Sequence, residues 1–289
     1  MTTTTIDPAA AIGLVRLKVR NLDTSIRFYE EVIGFKILTR DQGIAELTAD
    51  GTTPLLILEE NEQFRVMPER SVAGLYHFAI LVPDRKALGL SLRNLIKHKI
   101  PAGQGDHLVS EALYLNDPDN NGIEIYADRP RDSWQKNSQG EYLMATDPVD
   151  IEGLLNISEG EEWKGLEPGT VIGHVHFHVA DLSVAKQFYC DVLGFDITLH
   201  YGNAALFISA GGYHHHIGLN TWAGSGVPAN PEDAVGLRYY TISLPNQAAL
   251  DEVVSRLSQS GIIYHEQDHE VTLTDPFGIG IKLVMTKEI

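Results

Sequence analysis

Any metal bound by this chain must be held by histidine and carboxylate. Twelve of its 289 residues are His and one, Cys190, is Cys. A single thiol excludes an internal disulfide and Cys-based zinc sites, and it suits a reducing cytoplasm. Three segments concentrate the remaining donors. His174, His176 and His178 alternate with Val175 and Phe177, so they share one face of a strand, from which any of the three could reach inward. Gly212-Tyr213-His214-His215-His216-Ile217 leads into Leu219-Asn220-Thr221-Trp222; strand alternation puts His214 and His216 on one face and His215 on the other. Glu124 lies between Ile123 and Ile125, so it turns away from those apolar neighbours. On an enclosed face an unpaired carboxylate costs several kcal/mol, which a cation would offset. Plainer readings exist for each: a strand His that only hydrogen-bonds, a Glu facing water, a His-rich surface edge.

The elements that must position these residues come from an internal repeat. Val19, Leu22, Phe28, Tyr29, Val32, Gly34 and Phe35 recur 160 residues later as Val179, Leu182, Phe188, Tyr189, Val192, Gly194 and Phe195. Gly74-Leu75 and Pro83 match Gly236-Leu237 and Pro245, and Asp117-Pro118 with Gly122-Ile123 matches Asp275-Pro276 with Gly280-Ile281. Each unit opens with an alternating strand, as in Val15, Leu17 and Val19 between Arg16 and Lys18. A helix follows in the first unit, with Asn21 as N-cap, Leu22, Ile26, Tyr29 and Ile33 at helical spacing, and Gly34 as its stop. Strands at Ile44 to Leu47 and Leu55 to Leu58 flank the Asp50-Gly51 turn.

The reading is an α+β chain of four βαβββ modules at 10–62, 73–129, 170–222 and 235–287. These make an N-terminal domain, 10–129, and a C-terminal domain, 170–287, around a linker at 130–169 with a short helix near Ile151 to Leu155. The net charge of −17 repels phosphate backbones and anionic lipid, so neither nucleic acid nor a membrane is an expected partner. No apolar run approaches the ~18 residues of a membrane span, and the polar, Thr-rich start does not read as a secretory signal.

Four such modules with the F-Y-x-x-V-[IL]-G-F signature resemble the vicinal-oxygen-chelate superfamily, which includes glyoxalase I and the type I extradiol dioxygenases. The resemblance implies cupped mixed sheets around a divalent metal held by the first and last strands of the modules. At the first-strand position the modules carry Leu14, His77, His174 and Tyr239; at the last, Glu124 of module two corresponds to Lys282 of module four. The surviving ligand set is His77, His174 and Glu124, which matches a 2-His-1-carboxylate triad for Fe(II), with Mn(II) also suited.

Glyoxalase chemistry in that superfamily prefers two carboxylates, and one remains here, so the resemblance implies oxygen chemistry. In type I extradiol dioxygenases a paired-His strand supplies an acid–base residue. That role falls on His216, with His215 second. A His and a Tyr upstream of the ligand Glu contact the substrate oxygens, and His107 and Tyr114 have that arrangement. The implied reaction is meta cleavage of a small aromatic diol, catechol, with O2 to 2-hydroxymuconic semialdehyde in a homo-oligomeric enzyme. A metal-dependent lyase or isomerase, or a metal-free sequestering protein, are the competing expectations. One departure stands out: the better-known extradiol enzymes place all their ligands in modules three and four, whereas here modules two and three must build the cup.

Overall fold

The computed structural model describes residues 5–286; residues 1–4 and 287–289, which include part of the Thr-rich start and the end of the fourth module, lie outside them. Module one comprises β1 (Ala11–Val19), α1 (Leu22–Phe28), β2 (Lys36–Asp41), β3 (Ile44–Thr48) and β4 (Pro54–Glu60). Module two comprises β5 (Gly74–Leu81), α2 (Arg85–Lys97), β6 (Gly103–Asp106), β7 (Ser110–Asn116) and β8 (Gly122–Asp128). The linker carries α3 (Ile151–Ile157). Module three follows as β9 (Val171–His178), α4 (Leu182–Lys186), β10 (Asp196–Tyr201), β11 (Ala205–Ser209) and β12 (Ile217–Asn220). Module four is β13 (Gly236–Leu244), α5 (Gln247–Gln259), β14 (Tyr264–Gln267), β15 (Glu270–Thr274) and β16 (Gly280–Met285).

These strands form two curled, mixed eight-stranded sheets, in the orders β14-β15-β16-β13-β1-β4-β3-β2 and β10-β11-β12-β9-β5-β8-β7-β6. The expected halves 10–129 and 170–287 therefore each contribute one module to each sheet. Modules one and four join through antiparallel β1 and β13, and modules two and three through antiparallel β5 and β9. One continuous apolar core holds Val15 and Leu17 of one sheet with Phe78, Val175 and Phe177 of the other. Phe177 stacks 5.2 Å from Tyr240 across it. Each such side chain, fully buried, contributes about 1.5–3 kcal/mol. That burial lets β9 turn its alternate residues, the three histidines, into a concave face that is itself buried.

The repeated helix differs from the simple one expected. α1, capped by Asn21 accepting from the Thr24 N–H at 2.8 Å, passes at Tyr29–Ile33 into a π-helical turn, and α4 passes into another at Gln187–Val192. The N–H groups of Gly34 and Phe35 both donate to the Tyr29 carbonyl, and Gly34 closes the turn at φ +102, a conformation glycine tolerates best. Tyr29 then donates its hydroxyl to Asp117 of module two (3.0 Å), and Tyr189 likewise to Asp275 of module four (2.9 Å). These two bonds explain the repeated Tyr and Asp-Pro: each ties a module's helix to the turn that enters the next module's last strand.

Burial pushes the Asp117 carboxyl up to about 6, against the donors that stabilise its ionised form. At pH 7 the group is mostly ionised and depends on the Tyr29 hydroxyl; at pH 5 it is mostly protonated in the folded chain, so less is lost with that donor. Tyr29→Phe is expected to lower unfolding stability by about 1–3 kcal/mol at pH 7 and by less at pH 5, read from urea melts at both pH values.

Candidate metal centre

The register of the second sheet sets one row of side chains across four neighbouring strands. Tyr114 pairs with Glu124, Glu124 with Ala79, and Ala79 with His174. His77, two residues before Ala79 on β5, shares its face. Gly122 makes this possible at the start of β8, because a Cβ there would lie 2.0 Å from the Tyr76 carbonyl oxygen. Ala79 leaves the middle of the row open, and the donors flank that gap.

His77, Glu124 and His174 each offer a ligand atom, and these atoms lie within 4.8 Å of one another with all three residues buried. The Nε2 atoms of His77 and His174 both stand 3.1 Å from the same oxygen, Glu124 Oε2. His174 meets it as a hydrogen bond, whereas His77 Nε2 is buried without a hydrogen-bond partner. An orphaned buried nitrogen costs about 1–3 kcal/mol. One divalent cation shared by two imidazoles and a carboxylate removes that cost and suits this donor set. Protonation states agree: burial lowers the His174 imidazole to about 4, leaving it neutral near pH 7. Burial opposes ionisation of Glu124, but His174 and His77 outweigh it and hold the carboxyl well below its usual range.

The other two histidines of β9 are hydrogen-bonded to Asn220, although His176 also lines the cavity beside the triad. Asn220 donates its amide to His176 Nε2 (3.0 Å) and accepts from His178 Nδ1 (2.6 Å). Strand alternation alone leaves all three histidines able to reach inward and the repeat register selects His174, whose Nε2 lies beside Glu124 in the structure.

The triad opens on a cavity of about 430 Å³ whose walls include Tyr76, Met144, Leu199, Phe207 and Trp222. His107 and Tyr114 also line it. His107 Nδ1 donates to the Ala145 carbonyl (2.7 Å), so in the neutral ring Nε2 accepts from the Tyr114 hydroxyl (2.6 Å). Met144, Ala145 and Thr146 come from the segment read only as a linker, which therefore walls the cup.

His215 lines this cavity, stacked 4.1 Å from the His174 ring. His216, the first choice from sequence, does not reach it. Its Nδ1 accepts from the Ala210 N–H (3.1 Å), and its ring packs 4.9 Å from Tyr213. The reason is local: β12 begins only at Ile217, so the three histidines lie in a bend where strand alternation fails. His214 and His215 meet Nδ1 to Nδ1 at 2.7 Å instead of facing apart. Burial, then the neighbouring His174 and His214, push the His215 imidazole well below its usual value.

The matching positions of the other sheet are Leu14, Tyr239 and Lys282. The Lys282 ammonium sits 4.7 Å from the Tyr239 ring centroid and 3.1 Å from Glu270, so that cup offers no equivalent set.

Paired βαβββ modules with a buried two-His, one-carboxylate cluster in one concave sheet define a cup with a candidate metal site. Residues 11–125 and 171–283 match the Glyoxalase/Bleomycin resistance protein/Dioxygenase superfamily, and the chain belongs to it. Among curated proteins, the catechol-2,3-dioxygenase of Bacillus subtilis (strain 168) is 56% identical over 274 residues, spanning 94% of this chain and 96% of that protein. Glyoxalase I from Zea mays shares the fold, with a TM-score of 0.57 at 16% identity over 96% of this chain and 92% of its own. The cppA protein from Streptococcus pneumoniae TIGR4 does so with a TM-score of 0.54 at 14% identity over 96% and 99%. Among the described residues, no helix is long and apolar enough to cross a membrane.

Two substitutions test the centre. Glu124→Ala should weaken divalent-metal retention by at least about 10-fold, measured by elemental analysis after anaerobic Fe(II) loading and desalting. Ala79→Leu, which fills the gap without removing a donor, should do the same while far-UV circular dichroism is unchanged; full retention in Ala79→Leu would refute the role given to the gap.

Proposed function

We propose that the protein is an extradiol ring-cleaving dioxygenase that opens catechol, or a small catechol, with O2 at a mononuclear Fe(II) site. Its product is 2-hydroxymuconic semialdehyde or the corresponding substituted semialdehyde. The observation that carries this reading is the convergence of His77, His174 and Glu124 beside a cavity that also holds His215, Tyr114 and His107. The 56% identity to a catechol-2,3-dioxygenase over nearly the whole chain supports it. The donor set suits Mn(II) as well. Bound there, the metal ion would supply a template for the diol oxygens and O2 and a path for electron density between them.

The chain's own groups do the rest. His215, neutral because it is buried, acts as the base for a diol hydroxyl and returns the proton when the ring opens. Tyr114 and His107, already hydrogen-bonded to each other, contact the second diol oxygen. Phe207, Leu199, Met144 and Trp222 flank the flat ring and keep water out.

Iron-loaded protein should consume O2 with catechol and give a yellow ring-opened product, with no turnover under anaerobic conditions. His215→Asn should retain iron yet lose about 10²- to 10⁴-fold in kcat, while His216→Asn keeps kcat within a few-fold of the parent. Failure of the iron-loaded parent to turn over any catechol would overturn the function; a silent His215→Asn would remove that side chain from it.

A further inference from the structure

Two groups, His214 and Asp128, lie behind His215 and take no part in the mechanism above. His215 Nδ1 stands 2.7 Å from His214 Nδ1, and His214 Nε2 stands 2.9 Å from Asp128 Oδ1. His214 is wholly buried, whereas the Asp128 side chain keeps 25% of its exposure. A carboxylate at that end is partly hydrated and costs less to keep charged than one buried throughout. The cluster is held from several sides. Tyr213 donates to the same Asp128 oxygen at 3.2 Å, Thr198 donates to the His214 carbonyl at 2.7 Å, and Trp134 of the linker covers the His214 ring at 5.2 Å.

The hydrogen-bond inventory of the chain allows one arrangement of protons for a neutral pair of rings. A carboxylate only accepts, so His214 Nε2 carries its hydrogen toward Asp128. His214 Nδ1 then holds a lone pair and accepts from His215 Nδ1. The His215 Nε2 lone pair is what remains for the cavity. We propose that Asp128 and His214 are positioning residues that fix the tautomer and the direction of the His215 ring, so that its Nε2 meets the substrate hydroxyl unprotonated. Asp128 is separated from Glu124 by four residues along β8 and lies on the same face, so one strand carries both a metal ligand and the group that orients the base. The consequence for turnover rests on the dioxygenase reading; the tautomer itself does not.

The test has two arms. In full-length protein labelled with ¹⁵N-histidine and loaded with diamagnetic Zn(II), two-bond ¹⁵N–¹H correlations should show His214 as the Nε2–H tautomer and His215 as the Nδ1–H tautomer. Asp128→Asn should shift the His215 pattern toward Nε2–H. In the iron-loaded enzyme the same substitution should lower kcat by about 10- to 10³-fold, leave KM within about threefold and iron content unchanged, and Asp128→Glu should recover much of kcat. His215 found as Nε2–H in the parent protein overturns the proposal without any variant having to fold, as does a normal kcat in a folded Asp128→Asn. If the iron-loaded parent turns over no catechol, the functional reading fails, and the tautomer pattern still decides the proposal.

Discussion

A carboxylate buried in the concave face of a sheet is the constraint on which the rest of this structure turns. Glu124 is 2% exposed and shares one of its oxygens with two imidazole nitrogens. Removing an ionised carboxylate from water costs far more than a neutral hydrogen bond returns. The fold meets that cost by bringing three strands, β8, β5 and β9, into one register with a small residue, Ala79, at its centre. Everything that fixes the register, from the close approach at Gly122 to the Asp117 turn and its Tyr29 donor, thereby acts on the geometry of the centre. Stability and site geometry are coupled through β8, because the buried Tyr29–Asp117 bond anchors the end of the strand that delivers Glu124.

Much of this was legible from the residues. The helix motif and the Asp-Pro turns mark the repeat, and at the first- and last-strand positions that the family resemblance implies, the repeat register sets aside Leu14, Tyr239 and Lys282 and leaves two histidines and a glutamate. The module boundaries follow because each element has its own local signal: alternation, an Asx cap, a glycine stop. What local signals cannot carry is partner choice between strands far apart in sequence. That β1 pairs with β13 and β5 with β9, so that the sheets cut across the chain's halves, is decided by burial of a common core.

The His214–His216 segment shows the other limit. A rule of period two holds only while the chain is a strand, and between Ser209 and Ile217 it is a bend. Gly211 and Gly212, both at positive φ, turn the backbone there, so the side chain aimed at the cavity is His215 and not His216. The glycine pair was the available warning. Asp128 was readable too, since Glu124, Tyr126 and Asp128 alternate on one face of β8; the missing information was the loop that brings His214 to it.

The second sheet shows how the same scaffold manages without a metal ligand set. Where module two presents Glu124, module four presents Lys282, and where it presents His77, module four presents Tyr239. The Lys282 ammonium lies over that Tyr239 ring and pairs with Glu270 on the neighbouring strand. In the same sheet, Arg16 and Arg238 both bind Glu59, at 2.9 and 2.7 Å. Burial would disfavour ionised Glu59, yet the two guanidiniums hold its carboxyl below the usual value. Acidic charge on this face is thus answered by cations tethered to the chain, whereas in the sheet of modules two and three Glu124 has two imidazole nitrogens beside it. The repeat thus sets a tethered cation, Lys282, at the position in one cup where the other presents a carboxylate flanked by two imidazoles, the candidate metal site.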